Sequence, residues 1–339
     1  SHRRRWREQR SKQLRIGNPQ RSCEYPCLAA PGKQTVSITA IEPCGSYEVF
    51  DITVADDESY EAAGVFSHNS SHPNLQNIPI RDPEFGDLIR ALFIAERGRQ
   101  WLKLDWSQIE YRLICHYALI THQPGIQPII DRYHNDPDTD YHQAVADLTG
   151  RSRAEAKSLN FGLAYGEGIV RLCAILGVPL EHGRRIIDEY HRRAPFIKPL
   201  SQLCMQRAAQ VGEIKTLRGR IRHFNSYEYR GQFYPPGMPH PRAARRAYTH
   251  TGLNALIQGS AADIMKEAMV EIDAAGINDV LGVPHLTVHD ELDYSKPPGK
   301  IADQAVKELH NIMETCVTLK LPLLVKQEQG VSWGETRLI

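Results

Sequence analysis

In the stretch LKLDWSQIEYR, Leu102 to Arg112, Leu102 and Leu104 alternate with Lys103 and Asp105, and this period of two predicts a short half-buried strand. From Ser107 to Arg112 the spacing becomes helical, so Asp105 stands where a strand ends and a helix begins. A carboxylate there is held by a rigid element yet opens to solvent, which suits a metal ligand. A lone Asp at a strand end more often caps the following helix. A second apolar strand far downstream, Leu286–Val288 in LTVHDELDY, delivers His289, Asp290 and Glu291 at a tight turn. Two strand-end carboxylates can share divalent ions.

Helical spacing recurs in RAEAKSLNFGLAYG, where Arg153, Lys157, Phe161 and Tyr165 are four residues apart. Each advances by about 40°, so they form one stripe roughly 18 Å long. Two cations precede two aromatics, an order that suits a triphosphate at the first turns and a stacked base at the last. On spacing alone, a surface cation pair beside a buried aromatic edge is the commoner meaning. Gly162 and Gly166 lower helix propensity by about 1 kcal/mol each and fit a place where another chain comes close. Ile257, Ala261, Ile264, Ala268 and Ile272 predict the buried face of a long helix. Near the start, TVSITAI, YEVFDITVA and AGVFSHN are short β-type runs, the last ending at Asn69. Between Val211 and Arg246, basic TLRGRIRHF and RAARR flank YPPGMPHP, read as a loop of low structural content, and the flanking cations suit nucleic-acid phosphates.

Composition frames these elements. The 339 residues, 41% hydrophobic and 24% charged, suffice for one large or two medium domains. No run of 18 apolar residues reads as a membrane span and no leader reads as a signal peptide, so a cytoplasmic location is expected. Seven scattered cysteines are expected to be free thiols. The net charge of +1 hides segregation: residues 1–33 carry nine Lys/Arg against two Glu, while 34–69 carry seven acids and no Lys or Arg. Residues 151–250 hold eighteen Lys/Arg against seven acids. A cationic block beside a carboxylate cluster fits a polyanion held near divalent metal, although segregation alone more often marks solvated faces.

The stretch GSYEVFDITVADDESYEAAGVFSHN, followed by Ser70, resembles the C-terminal segment of an intein. That resemblance implies protein splicing: Asn69 cyclises through its amide, His68 donates to the scissile group, Ser70 accepts the upstream acyl group, and Asp51 assists. Glu58 departs from the family, which often has His in this region. From Ser70 onward, SSHPNLQNIPIR, LKLDWSQIEYRL, RAEAKSLNFGLAYG, THTGLNALIQGSAADIMK and VHDEL resemble, in order, the motifs of family A DNA polymerases of the DNA polymerase I type, closest to phage-like members.

The resemblance implies a role for each position. Asp105 and Asp290, with the Trp106 carbonyl, would hold two Mg2+ ions (Mn2+ as the alternative) about 4 Å apart, for attack by the primer 3′-hydroxyl. Glu291 supports them. Arg81, His142, Arg153 and Lys157 match triphosphate contacts, and Lys157 is placed to protonate the leaving pyrophosphate. Gln108 matches a residue near the nucleotide pocket, Glu110 the steric gate against a ribose 2′-hydroxyl, Phe161 a position that discriminates against dideoxynucleotides, and Tyr165 the aromatic at the template base. Asn254, Gln258 and His289 match contacts to DNA. His250 stands where the family commonly has Arg.

The expected architecture is α/β (α+β): an antiparallel palm sheet from about 70–130 and 251–339, mostly helical fingers over about 131–250, and a small all-β intein segment over 34–69 after a disordered basic leader, 1–33. The implied partners are primer-template DNA, deoxynucleoside triphosphates and an N-terminal half carrying the first intein segment with the polymerase thumb and exonuclease, with no membrane. The expected function is template-directed DNA synthesis in a bacterial or phage-infected cell. Its alternative is a nucleic-acid- and nucleotide-binding fragment that becomes active only after splicing; an RNA polymerase is disfavoured by Glu110.

Overall fold

The computed structural model describes residues 12–16, 38–43, 59–62, 65–68, 86–143, 146, 152–164 and 168–339. The chain divides into two compact units, Ser1–Arg81 and Asp82–Ile339. In the first, β1 (Lys12–Ile16) pairs antiparallel with β2 (Ile38–Pro43), and β3 (Ser59–Ala62) with β4 (Val65–His68). β1 lies inside the basic leader, where no strand was expected. Its Leu14 and Ile16 stand opposite Ile41 and Ile38, an alternation too short to stand out among the arginines. The expected boundary between Asn69 and Ser70 lies outside the described residues.

In the second unit, α1 (Gly86–Ala91) precedes β5 (Gln100–Trp106), which runs almost directly into α2 (Ile109–Ile120). Five more helices follow: α3 (Gln127–Asn135), α4 (Arg153–Ala164), α5 (Ile169–Leu176), α6 (Leu180–Arg193) and α7 (Ile197–Gln210). The next forty residues hold short strands, β6 (Glu213–Lys215), β7 (Ile221–His223), β8 (Tyr227–Tyr229), β9 (Gln232–Tyr234) and β10 (Arg245–Arg246). They replace the expected helical content there, with β6 paired to β7 and β8 between β9 and β10, while the expected loop is found at residues 235–244, which carry neither helix nor strand. The chain then forms α8 (Gly252–Ala274), α9 (Ile277–Leu281), β11 (Leu286–Val288), β12 (Glu291–Lys296), α10 (Lys300–Thr315), β13 (Val325–Gly330) and β14 (Thr336–Leu338).

The strands that frame the predicted acids form one antiparallel sheet in the order β11-β12-β5-β13-β14. β5 is central because both its edges are paired, and its alternation sorts its side chains by face. Leu102, Leu104 and Trp106 are fully buried and join Leu292, Tyr294 and Val325 in the core. Trp106 Nε1 donates to the Met313 carbonyl at 2.8 Å, tying the sheet to α10. The long helix α8 buries Ile257, Ile264, Ala268 and Ile272, as its spacing predicts, while Ala261 is half-buried against the same core. Cys115, Cys173, Cys204 and Cys316 are buried free thiols. Among the described residues, no helix is long and apolar enough to cross a membrane.

One fully buried cation fixes the turn between β5 and α2. Arg112 donates through Nε to the Ser107 carbonyl at 2.9 Å, through Nη1 to Pro322 at 2.7 Å and through Nη2 to Pro137 at 2.6 Å. Its guanidinium carbon also stands 4.8 Å from the Tyr133 ring centre. Burial lowers its affinity for a proton, but the carbonyls and ring supply what water no longer does. Arg112→Met would leave three acceptors in a dry site, so it is expected to lose about 3 kcal/mol of stability. Urea unfolding monitored by circular dichroism reads this directly, and a loss below about 1 kcal/mol would show that the three carbonyls find other donors.

Candidate active site

Pairing of β5 with β12 brings the two predicted acids to one end of the sheet. Glu291 stands opposite Asp105, and Trp106 N–H donates to the Asp290 carbonyl at 3.2 Å. β11 and β12 are joined by only His289 and Asp290, and His289 takes a left-handed backbone, φ 55°, to make the turn. Left-handed residues other than Gly are uncommon, with His among the more tolerant. Asp105 and Asp290 both hold their protons far more tightly than an ordinary Asp. Burial, then Asp290 and Glu291, push Asp105 up to about 7; burial first, with Glu110 and Glu291 adding, pushes Asp290 up to about 6. The positive charge of Lys157 opposes the rise at both.

The same face of the sheet holds a polar layer that the motif search missed. Lys103, two residues before Asp105, stands 3.4 Å from both Glu291 Oε2 and Glu328 Oε2. Burial alone would lower the Lys103 pKa, but Glu291, Glu328 and Asp105 outweigh it and raise the value. Trp333 Nε1 donates to Glu291 Oε1 at 2.5 Å, and its ring meets Phe93 edge-on at 5.4 Å with the Arg90 guanidinium 4.1 Å above it. Fully buried Asp293 accepts from Trp101 Nε1 at 2.7 Å. Burial and the neighbouring Glu291 push Asp293 up to about 9, so it stays protonated at neutral pH. The alternations LKLD and ELD place Lys103 with Asp105 and Asp293 with Glu291, a local signal; nothing local announces Trp333 or Glu328.

The helix-borne residues fall into distinct settings. Gln108, left-handed at φ 55°, precedes α2; its amide donates to the Thr139 carbonyl at 3.1 Å and accepts from Tyr141 N–H at 3.2 Å. It therefore braces the segment that carries His142. Glu110 is half-buried on the first turn of α2, and its charge is felt at Asp290. His142 is buried, with Nδ1 2.7 Å from Asn160 Nδ2, and burial followed by Lys157 holds its pKa down to about 4, so it is neutral. Arg153 and Lys157 are exposed on α4, with Phe161 one turn further along the same helix. Arg153 Nε lies 2.5 Å from Asp140 Oδ2; burial would raise the Asp140 pKa, but this bond holds it below the ordinary value. Asn254 and Gln258 share a face of α8, and Asn254 Oδ1 is buried with no hydrogen-bond partner. Arg81, Tyr165, Asp51, Asn69 and Ser70 lie outside the described residues, while His68 ends β4.

Asp105 and Asp290 offer hard oxygen donors with raised proton affinity, a donor set that suits Mg2+. Among the described residues no group of three or more His, Cys, Asp or Glu is arranged around a metal position.

Residues 59–335 match the DNA polymerase family A domain. The chain is 36% identical over 324 residues to a DNA-directed DNA polymerase of Pseudomonas phage M6, covering 83% of this chain and 45% of that protein. It is 34% identical over 281 residues to DNA polymerase I of Pseudomonas aeruginosa, covering 79% of this chain and 28% of that one. Among solved structures, the POL domain of Pol1 from M. smegmatis, in complex with DNA primer-template and dNTP, superposes with a TM-score of 0.64 at 29% identity, over 82% of this chain and 47% of that one. The chain thus spans less than half the length of these relatives.

The raised carboxylates set a pH dependence for the metal-free protein. Their folded values exceed the ordinary Asp value near 4, so between about pH 4 and 7 the native state keeps protons that the unfolded chain has released. Stability therefore falls as pH rises through that window. In chelator, Asp105→Asn is expected to flatten this fall and leave the variant more stable than the parent at pH 8, by on the order of 2 kcal/mol. Urea titrations at pH 5 and pH 8 measure it, and equal pH slopes for the two proteins would contradict the electrostatic account.

Proposed function

The chain belongs to DNA polymerase family A, and from that premise we propose that it carries the nucleotidyl-transfer site for template-directed DNA synthesis. The observation that carries the reading is the meeting of Asp105 and Asp290 at adjacent strand ends, within reach of the Lys157 charge. Mg2+ bound there would supply charge neutralisation at the phosphates and activation of the primer hydroxyl. Asp105 and Asp290, with the Trp106 carbonyl, would hold it, and Glu291, gripped by Trp333 and Lys103, keeps β12 in register beside Asp105. Lys157 and Arg153, exposed on one face of α4, meet the triphosphate, as does Arg81. Lys157 is the proton donor to the departing pyrophosphate. His142, neutral and fixed by Asn160, acts as a hydrogen-bonding group toward the triphosphate rather than as a charge. Gln108 braces the pocket, Glu110 bars a 2′-hydroxyl, Phe161 discriminates against dideoxynucleotides, Tyr165 is the aromatic for the template base, and Asn254, Gln258 and His289 contact the DNA. Primer-template DNA and deoxynucleoside triphosphates are the partners, in the cytoplasm of a bacterial or phage-infected cell.

A second reading concerns delivery of this site. Residues 34–69 act as the C-terminal segment of an intein, with Asp51, His68, Asn69 and Ser70 in the roles given above. Residues 70–339 are then the palm and fingers, which gain activity once spliced to an N-terminal polymerase half. The His68-Asn69-Ser70 sequence favours it. The family match begins at residue 59 and so overlaps the end of this segment.

Two experiments test these readings. Primer extension with Mg2+, by the chain alone and joined to an N-terminal polymerase half, is expected to fall about a thousandfold in Asp105→Asn and Asp290→Asn. Primer-template affinity should stay within about twofold, and synthesis retained by either variant would refute the metal assignment. For splicing, intact mass spectrometry after supplying an N-terminal intein partner should reveal a product joined at Ser70. A chain that remains uncut after Asn69 would end that reading.

A further inference from the structure

Glu291 stands directly across the sheet from Asp105, on the same face, yet its carboxylate is engaged elsewhere. Cβ atoms of such cross-strand pairs lie about 5 Å apart, so a Glu there is long enough to reach an ion bound to the opposing Asp. Both of its oxygens are taken instead. Oε1 accepts from Trp333 Nε1 at 2.5 Å, and Oε2 stands 3.4 Å from Lys103 Nζ. Lys103 is a diagonal neighbour, two residues back along β5, whose own partner on β12 is Asp293. Trp333 comes from the same direction, since it follows Gly330, which pairs with Trp101 toward the opposite end of β5. Both partners draw the carboxylate back along the sheet, away from the end where Asp105 and Asp290 meet.

Neither partner is free to follow the carboxylate. Trp333 is buried, its backbone N–H donates to the Phe93 carbonyl at 2.8 Å, and Ser332 beside it bridges to Ile94. Its ring is fixed by Phe93 at the edge and Arg90 above. Lys103 is shared with its cross-strand partner Glu328, whose Oε2 stands 3.4 Å away and also accepts from the Thr336 hydroxyl at 2.5 Å. The brace thus runs from β12 through β5 and β13 to β14. It exceeds what strand register needs, because β12 and β5 are already paired over six residues.

We propose that Lys103 and Trp333 are positioning residues that withhold Glu291 from the metal, so that positions not filled by Asp105 and Asp290 stay open to substrate oxygens. The proposal rests on the metal reading of those two acids. Mg2+ demands near-octahedral oxygen geometry and is commonly bound through substrate phosphates. A third carboxylate would fill a position that a triphosphate or primer oxygen needs.

NMR of the full chain carrying isotope-labelled tryptophan tests this in the unaltered protein. Titration with Mg2+ is expected to shift the Trp106 backbone amide, which adjoins Asp105 and donates to the Asp290 carbonyl. The Trp333 indole N–H, assigned by its loss in Trp333→Phe, should stay where it is. An indole that moves together with that amide would overturn the proposal, because Glu291 would have left it for the ion. A Trp106 amide that never moves sinks the metal reading, and the proposal with it. Trp333→Phe keeps a ring against Phe93 but removes the donor. It is expected to tighten Mn2+ binding about tenfold, a size that outer-shell partners commonly command, as read by electron paramagnetic resonance without DNA. In the Glu291→Gln background the same change should stay within about twofold. Lys103→Gln, on the polar face, also removes a charge, so its tightening should be about fivefold larger with Glu291 than in the Glu291→Gln background. Weaker Mn2+ binding in Trp333→Phe, or effects of either variant that are equal in both backgrounds, would show a brace that serves stability alone and overturn the proposal.

Discussion

Carboxylates gathered at the ends of paired strands repel one another and resist leaving water, and much of the second unit serves to hold them there. Two like charges about 4 Å apart in an effective dielectric near 20 repel by about 4 kcal/mol. That is a large share of the roughly 5–15 kcal/mol that stabilises a domain. The structure answers with protons and cations rather than distance. Asp293 keeps its proton, Lys103 sits between Glu291 and Glu328, and Lys157 lends positive charge to Asp105 and Asp290. The apolar face of the same strands, Leu102, Leu104, Trp106, Leu292 and Tyr294, supplies the burial that keeps β5 and β12 registered despite that repulsion.

Backbone strain is present beside the acids. Of the five residues other than Gly with positive φ among those described, His289 and Gln108 flank them. Strained conformations persist where the surroundings over-determine them, and such sites are commonly functional. At Gln108 the over-determination is visible, since both ends of its amide are held by the segment leading to His142.

What the sequence made legible was whatever repeats within a few residues. The alternation at Leu102 to Asp105 became β5, the apolar triplet Leu286–Val288 became β11 with its acids at the turn, and Ile257, Ile264, Ala268 and Ile272 became the buried face of α8. Cross-strand partners leave no such trace. Lys103 and Glu328 are 225 residues apart, and neither Trp333 nor Phe93 carries a spacing that points to Glu291. The β8-β9 hairpin was hidden for a different reason: its strands are three residues long, its turn uses Arg where Asn is usual, and the adjoining prolines and glycines read as loop. That His142, matched beside three cations as a triphosphate contact, is itself neutral follows from its burial, which the sequence does not show.

The separation in sequence of the sheet's strands has a consequence for how the protein comes to exist. β5 pairs on one side with β12 and on the other with β13, so its contacts span some 200 residues, as from Trp101 to Asp293, 192 apart. Closing loops of that size before any contact rewards them makes such pairings slow and late. The helices between, whose contacts are local, can assemble earlier. By that tendency the acids, carried on strands so far apart in sequence, are brought together late. A partly folded chain would not bring Asp105 and Asp290 together, so their meeting marks the completion of the sheet.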